Sequence, residues 1–203
     1  MLILPITTPL LAANDDLVKI LLDAAELEEN DILVLSSKAV ATIEGAAINL
    51  AMITPTPQAT TIAKSCNQTP EFSQAILDET KRMNGEVLGV CPYAVLTLLK
   101  PDGMKEGNIL VPNAGLDHSN IAEGFVIGWP QNPVASTKRI CAALRKATGK
   151  SLSVIISDSC CRVSRLGVTA FALTCAGIEP ISSRIGKNDL FGKPLRVTRE
   201  AVA

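Results

Sequence analysis

An aspartate at the end of an apolar run is the sharpest chemical feature of the sequence. Residues 151–157 (SLSVIIS) have the pattern of a buried strand, and Asp158 and Ser159 follow directly. A carboxylate at a strand end is rigidly held yet open to a cleft, which suits a hard divalent cation. The same carboxylate could instead cap the strand in an Asx turn, so Asp158 alone does not decide the matter.

A second acidic segment strengthens the case for a metal ion. Residues 113–120 (NAGLDHSN) place Asp117, Ser119 and Asn120 in one predicted loop beside Gly115, which allows a tight backbone turn. Two acid-bearing loops can share one cation. The only histidine of the chain is His118, which excludes a centre built from several histidines.

Basic residues close to these acids indicate phosphate chemistry. Arg162 and Arg165 follow Asp158 within a few residues, and guanidinium groups beside a bound metal neutralise the same phosphate oxygens. An equally open reading is a solvated loop whose arginines pair with surface acids. Lys38, at the predicted tip of another strand, could reach a phosphate or could simply be exposed.

Several other functions are disfavoured by motif and composition. The glycine-rich stretch 186–194 (GKNDLFGKP) lacks the length and order of a phosphate-binding P-loop, and no GxSxG nucleophile elbow is present. The 19 basic and 20 acidic residues give a net charge of -1, so no overall basic field exists to hold nucleic acid. No apolar run approaches the roughly 20 residues of a membrane span. We expect a soluble, cytoplasmic protein with reduced cysteines and neither nucleic acid nor a membrane as partner.

The elements that must position these residues form a mixed pattern. Strands outnumber helices and do not alternate with them regularly, which predicts an α+β fold. Capping and periodicity predict helices that begin at Asn14, at Pro70 and at Val134, the first with roughly three turns. Short apolar runs predict strands over 31–37, hairpin strands over 86–99 and near 109–111, the strand before Asp158, and a strand over 168–174. A sub-domain break is expected near residues 83–86.

Taken in order, several weak motifs resemble one known family. They are TTPL, DILVLSSK, NAGLDHSN, IISDS, AGIEP and GKNDLFGKPLRVT, and together they span nearly the whole chain. The resemblance is to the coenzyme F420-0:L-glutamate ligase (gamma-glutamyl ligase) family, including its folate gamma-glutamate ligase-like bacterial members. It implies a single domain over residues 1–203, largely antiparallel sheets with a few helices, and an intertwined homodimer whose site lies in a groove between subunits. It also implies that the sequence ends before a C-terminal segment carrying a further acidic metal ligand.

The resemblance also implies roles for individual residues. Asp117 and Asp158 become the ligands of Mg²⁺ or Mn²⁺, and together with Arg162 and Arg165 they form the expected catalytic group. The expected nucleotide contacts are Pro9, Leu10, Ser37, Lys38, Asn120 and Ser159.

The implied activity is a ligation that consumes a nucleoside triphosphate. GTP, or alternatively ATP, would convert the carboxylate of F420-0 or of a folate into an acyl phosphate, which the amine of L-glutamate then attacks. Two alternatives are a shortened, non-catalytic nucleotide- and metal-binding relative and a metal-dependent phosphohydrolase. Dependence of phosphate release on glutamate would separate them from a ligase.

Overall fold

A computed structural model of the chain describes residues 2–161 and 165–203. Helices and strands are mixed along the sequence, as predicted, and the strands lie in several small sheets. The α-helices are α1 (Leu17–Ala24), α2 (Ser37–Ile43), α3 (Pro57–Cys66), α4 (Pro70–Arg82) and α5 (Pro133–Thr148). The strands are β1 (Ile32–Ser36), β2 (Ile48–Asn49), β3 (Glu86–Cys91), β4 (Ala94–Leu99), β5 (Ile109–Pro112), β6 (Phe125–Val126), β7 (Ser153–Cys161), β8 (Val168–Ala176), β9 (Ile181–Ser183) and β10 (Arg199–Ala201).

The sheet β1-β7-β8 positions most of the residues of interest. β1 runs parallel to β7, with Ser36 opposite Ser157, and β7 runs antiparallel to β8. Helix α5 packs on β7 and β8, and its residues Ile140 and Leu144 belong to the buried core together with Val154 and Ile156 of β7. The β1–β7 pairing joins segments more than 100 residues apart in the sequence, so it is a long-range tertiary contact.

The remaining sheets are antiparallel. β3, β4 and β5 form a meander against which α4 packs, and β2–β6 and β9–β10 form two short pairs. Both long helices have the predicted caps: Thr69 accepts from the backbone of Phe72 at the start of α4, and Asn132 accepts from that of Ala135 at the start of α5. Gly149, with φ +72°, ends α5 in the left-handed conformation that glycine adopts readily.

Three local predictions are wrong. The first helix is capped by Asp16 rather than Asn14 and has only eight residues, because Asn14 adopts a left-handed φ of +68°. Lys38 lies in the first turn of α2 rather than at a strand tip, because the chain turns directly from β1 into a helix. Asp158 lies inside β7 rather than at its end, because pairing with β8 extends the strand to Cys161.

One continuous core joins the helices and the two three-stranded sheets. It is largely aliphatic, with Trp129 and Phe72 as its aromatic members. Met83, within the predicted break near 83–86, is only 1% exposed, and that break stays a prediction. Among the described residues, no helix is both long and apolar enough to span a bilayer.

The close packing at the start of β3 gives a stability prediction. A Cβ on Gly85, just before β3, would lie 2.6 Å from the carbonyl oxygen of Leu98 and 2.7 Å from a methyl of Leu99, whereas a Cβ on Gly89, inside β3, would have nothing within 4 Å. We expect Gly85→Ala to lower the free energy of unfolding by about 1–3 kcal/mol, because backbone must move. Gly89→Ala is the matched control and should leave stability unchanged or slightly raised. Urea unfolding followed by Trp129 fluorescence measures both; equal effects of the two substitutions would contradict the packing.

Candidate functional site

The loop that carries Asp117 is held in a tight, left-handed bend. Asn113, Ala114 and Gly115 have φ values of +53°, +52° and +74° and form a short 3-10 turn after β5. Asp117 then pairs with Ile127 through two backbone hydrogen bonds of 2.9 and 3.0 Å. The backbone of Asp117 is therefore fixed although its side chain remains 48% exposed.

The Lys38 ammonium lies in a cluster of oxygen atoms on this loop. Its Nζ is 2.5 Å from Asp117 Oδ2, 2.6 Å from Ser119 Oγ and 3.2 Å from the carbonyl oxygen of Ser119. Ser119 also donates to Asp117 from its hydroxyl (2.7 Å) and its backbone N–H (2.9 Å). We call the oxygen atoms of Asp117 and Ser119 that surround the Lys38 ammonium the oxygen nest.

This arrangement lowers the pKa of Asp117 to about 2 from its ordinary value of 3.8. Partial burial on its own raises the pKa of this carboxyl, but the hydrogen bonds from Lys38 and Ser119 and the positive charge of Lys38 outweigh it. Asp117 is therefore a carboxylate throughout the physiological pH range.

Asp158 is held by different partners. Its Oδ2 accepts a hydrogen bond from the indole Nε1 of Trp129, and its Oδ1 accepts from the backbone N–H of Ser159 at 2.8 Å. A β-bulge lies between Ile156 and Ser157, immediately before Asp158. The partners on β8 step there from Thr174 to Ala172, so the extra residue belongs to β8, and Asp158 stays paired with Phe171. The Asp158 side chain lies half-exposed after three buried residues of β7.

A circuit of contacts connects the two aspartates. Ser36 lies opposite Ser157 at the end of the parallel β1–β7 pair. Lys38 comes two residues after Ser36 and Asp158 one residue after Ser157, so both follow the same end of this pair. Lys38 contacts Asp117, Asp117 pairs with Ile127, and Trp129, two residues later, contacts Asp158. Both carboxylates are thus attached to one short segment, 127–129.

The other predicted nucleotide contacts have varied environments. Ser37, at the start of α2, is 1% exposed, whereas Ser159 and Asn120 are exposed and Asn120 has a left-handed φ of +58°. Pro9 and Leu10 are exposed, Leu10 to 98%, so the Leu10 side chain has almost no packing within this chain.

Of the two predicted catalytic arginines, the structure describes one. Arg165 is exposed at the start of the turn that leads into β8. Arg162 lies outside the described residues. Their roles stay predictions.

A cavity of about 590 Å³ borders Asp117. Phe72 and His118 line one part of it, with their ring centroids 4.4 Å apart, and the side chains of Gln68, Tyr93 and Asn113 also line it. Among the described residues, no lysine or arginine lines this cavity. The cavity thus offers apolar and neutral polar surface beside a single carboxylate, and its volume is typical of small-molecule sites.

The donor atoms of the site fit a hard cation better than a soft one. Carboxylate, hydroxyl and carbonyl oxygens surround the Lys38 ammonium, and all are ligand types that Mg²⁺ and Mn²⁺ accept. Within residues 2–161 and 165–203, no group of three or more His, Cys, Asp or Glu side chains is placed to bind a metal. A cation here would therefore need ligands from outside this chain's acidic side chains, such as phosphate oxygens or water.

Comparison with known proteins identifies the family. The family model described as F420-0:Gamma-glutamyl ligase matches residues 5–203. The chain belongs to the F420-0:gamma-glutamyl ligase family. The coenzyme F420:L-glutamate ligase of Methanosarcina mazei is 37% identical over 195 residues, which cover 96% of this chain and 72% of that relative. That of Archaeoglobus fulgidus is 34% identical over 195 residues, covering 96% of this chain and 74% of the relative.

The family resemblance seen in the sequence is thereby confirmed, but Trp129 was missed. It is the only tryptophan of the chain, and it stands in a Gly-Trp-Pro stretch that carries no recognisable catalytic motif. Its contact with Asp158 joins residues 29 positions apart, and no local pattern predicts such a pairing. The one available signal was that a buried indole N–H needs an acceptor.

The contact between Lys38 and Asp117 gives a prediction for this family member. In Lys38→Met we expect the pKa of Asp117 to rise from about 2 toward its ordinary range, because both a hydrogen bond and a positive charge are lost. Titration of the Asp117 carboxyl carbon by NMR measures this directly. Lys19→Met, which removes the exposed Lys19–Asp23 pair, is the control and should leave Asp117 unchanged.

The same shift fixes the sign of a pH effect on stability. A depressed folded-state pKa means that the contribution of Asp117 is complete above about pH 4 and is lost as the pH falls toward 2. Because the pair is half exposed, we expect a contribution of only about 1 kcal/mol. If the pKa of Asp117 stayed near 2 in Lys38→Met, Lys38 would not be the cause of the lowered pKa.

Proposed function

We propose that this chain is a ligase of coenzyme F420 biosynthesis that joins L-glutamate through an amide bond to a carboxylate acceptor, either F420-0 or a folate. GTP is the proposed cosubstrate, with ATP as the alternative, and Mg²⁺ or Mn²⁺ the proposed metal. Family membership supports a glutamate-adding ligase. The structural observation that carries the proposal is the oxygen nest on Asp117, linked through Trp129 to the second carboxylate, Asp158.

The nest supports a metal site because it already accommodates a positive charge. Lys38 Nζ is surrounded by three oxygens at 2.5–3.2 Å, so the backbone and Ser119 are arranged for a cation before any ligand arrives. Asp117 and Asp158 would hold the divalent ion, whose role is to neutralise phosphate oxygens during phosphoryl transfer. Lys38 would then leave Asp117 and contact the phosphates as a point charge.

The need for a nucleotide follows from the chemistry of amide formation. A carboxylate resists attack by an amine because hydroxide is a poor leaving group, so the acceptor must first be converted to an acyl phosphate. Arg162 and Arg165 would offset the charge of the transferring phosphoryl group, and Ser37, Asn120, Ser159, Pro9 and Leu10 would contact the nucleotide.

The cavity beside Asp117 supports a place for the organic substrate. The acyl phosphate must form next to the phosphates, so the acceptor carboxylate has to approach from a space that borders at least one of the proposed metal ligands. The Phe72–His118 side of the cavity meets this requirement, since Asp117 lines the same space. Neutral polar and aromatic side chains there would bind the body of the acceptor or the glutamate, and exclusion of water would protect the acyl phosphate.

Exposed apolar residues at both ends support the proposed homodimer. Leu2, Ile3 and Leu4 are 71–80% exposed, and near the other end Leu190 and Phe191 are 89–100% exposed. Apolar surface of this kind is typical of segments that pack on another molecule. An intertwined dimer would bury this surface, and it would also give the exposed Leu10 side chain a surface to pack against.

The decisive test is glutamate-dependent turnover. With Mg²⁺, GTP, L-glutamate and either F420-0 or a folate, we expect the wild-type protein to release phosphate and to yield the glutamylated acceptor, detected by mass spectrometry. Asp158→Asn should lower turnover at least about 100-fold, since loss of a metal ligand costs more than loss of the groups around it. Asp102→Asn, at an exposed turn, is the control and should retain activity.

Two results would contradict the proposal. Phosphate release at the same rate without glutamate would indicate a phosphohydrolase. Binding of GTP and Mn²⁺ with no product from either acceptor would indicate a non-catalytic binding protein. Circular dichroism of the Asp158→Asn variant must match wild type for its loss of activity to count.

A further inference from the structure

We propose that Trp129 is a positioning residue for Asp158: its indole N–H fixes the carboxylate so that a divalent cation finds it already oriented. This inference rests on the proposed function, since it assumes that Asp158 binds the metal. It adds a residue outside the set of predicted ligands and nucleotide contacts, and it assigns that residue a measurable effect on metal affinity.

The indole is itself held rigidly. Trp129 is 2% exposed, and its ring lies against the backbone of Gly115, where an added Cβ would be 2.8 Å from Cε2. The ring also meets Phe171 edge-on, with centroids 6.3 Å apart and an interplanar angle of 70°. Phe171 lies opposite Asp158 in the β7–β8 ladder. Because the indole is packed on several sides, it cannot move with the Asp158 side chain. Rotation of the carboxylate would therefore break the hydrogen bond, and the indole holds the carboxylate in one orientation.

The chemistry of the donor matters as much as its position. An indole N–H donates one hydrogen bond and carries no charge, so it orients Asp158 without cancelling its negative charge. The backbone N–H of Ser159 fixes the other oxygen in the same neutral manner. At Asp117 the partner is instead the Lys38 ammonium, which a cation must displace. Asp158 is therefore the member of the pair whose hydrogen-bond donors are neutral, so an incoming ion displaces no cation from it.

Trp129 also connects Asp158 to the loop of Asp117. The Gly115 backbone under the indole lies two residues before Asp117, and Ile127, which pairs with Asp117, lies two residues before Trp129. A displacement of the indole would therefore disturb the relation between the two carboxylates. Groups that orient metal ligands in this way typically change affinity by about 10–100-fold when removed.

The test begins with Trp129→Phe, which removes the N–H and keeps an aromatic ring. Binding of Mn²⁺ in the presence of GTP, followed by loss of the free Mn²⁺ signal in electron paramagnetic resonance, should weaken about 10-fold or more. Ile140→Val, a buried substitution in α5, is the control for a general loss of stability and should leave Mn²⁺ affinity unchanged. Thermal unfolding of both variants shows whether their stability losses are comparable. Wild-type Mn²⁺ affinity in Trp129→Phe would overturn the inference.

A second measurement follows Trp129 emission in the wild-type chain, so it does not require Trp129→Phe to fold. Trp129 is the only tryptophan, so its emission reports on the indole beside Asp158. Titration with Mg²⁺ in the presence of GTP should change the emission saturably, and Asp158→Asn should abolish the change. Binding seen by calorimetry without any change in emission would overturn the inference but leave the proposed function standing. Absence of cation binding in the wild type would overturn both.

Discussion

Two carboxyl groups near one end of the β1–β7 pair are held in place by two different kinds of hydrogen-bond donor. Asp117 is paired with the Lys38 ammonium, and Asp158 accepts neutral N–H groups from Trp129 and Ser159. Partial burial would raise the pKa of Asp117, and its hydrogen bonds and ion pair reverse that effect. The sheets and loops around the site bring the donors Lys38 and Trp129 into contact with Asp117 and Asp158.

The donors and acceptors come from segments that are distant in sequence. Lys38 follows β1, Asp117 follows β5, Trp129 follows β6, and Asp158 lies in β7. The parallel pairing of β1 with β7 and the single bridge between Asp117 and Ile127 hold them in place. Because the backbone is fixed while the Asp117 side chain stays half exposed, the site is organised before ligands bind and yet remains accessible.

Much of the secondary structure could be predicted because its signals are local. Thr69 and Asn132 cap helices within three residues, and Gly149 ends α5 through its own backbone conformation. The strand before Asp158 was also predicted, but its end was not, because the end depends on pairing with β8. Helix α3 was missed because the Thr-Pro pairs of residues 54–57 suggest a chain break, whereas Thr56 and Pro57 act as its N-cap and first residue.

The two aspartates of the candidate site could be proposed from the sequence, but the side chains that contact them could not. Asp117 and Asp158 stand out by residue type and by family resemblance. The lysine bound to one and the indole bound to the other are tertiary contacts that span 79 and 29 residues, and no sequence spacing encodes them. The homodimer, the nucleotide and the metal follow from family resemblance and remain proposals.

The proposed function requires Asp117 and Asp158 to bind one cation together. Paramagnetic broadening by Mn²⁺ tests it most directly, in protein with ¹³C-labelled aspartate carboxyl groups and GTP present. If the two carboxyl groups bind the same ion, substoichiometric Mn²⁺ should broaden the signals of Asp117 and Asp158 together and spare exposed aspartates such as Asp102. Broadening of only one of the two, or of neither while Mn²⁺ binds elsewhere, would contradict it.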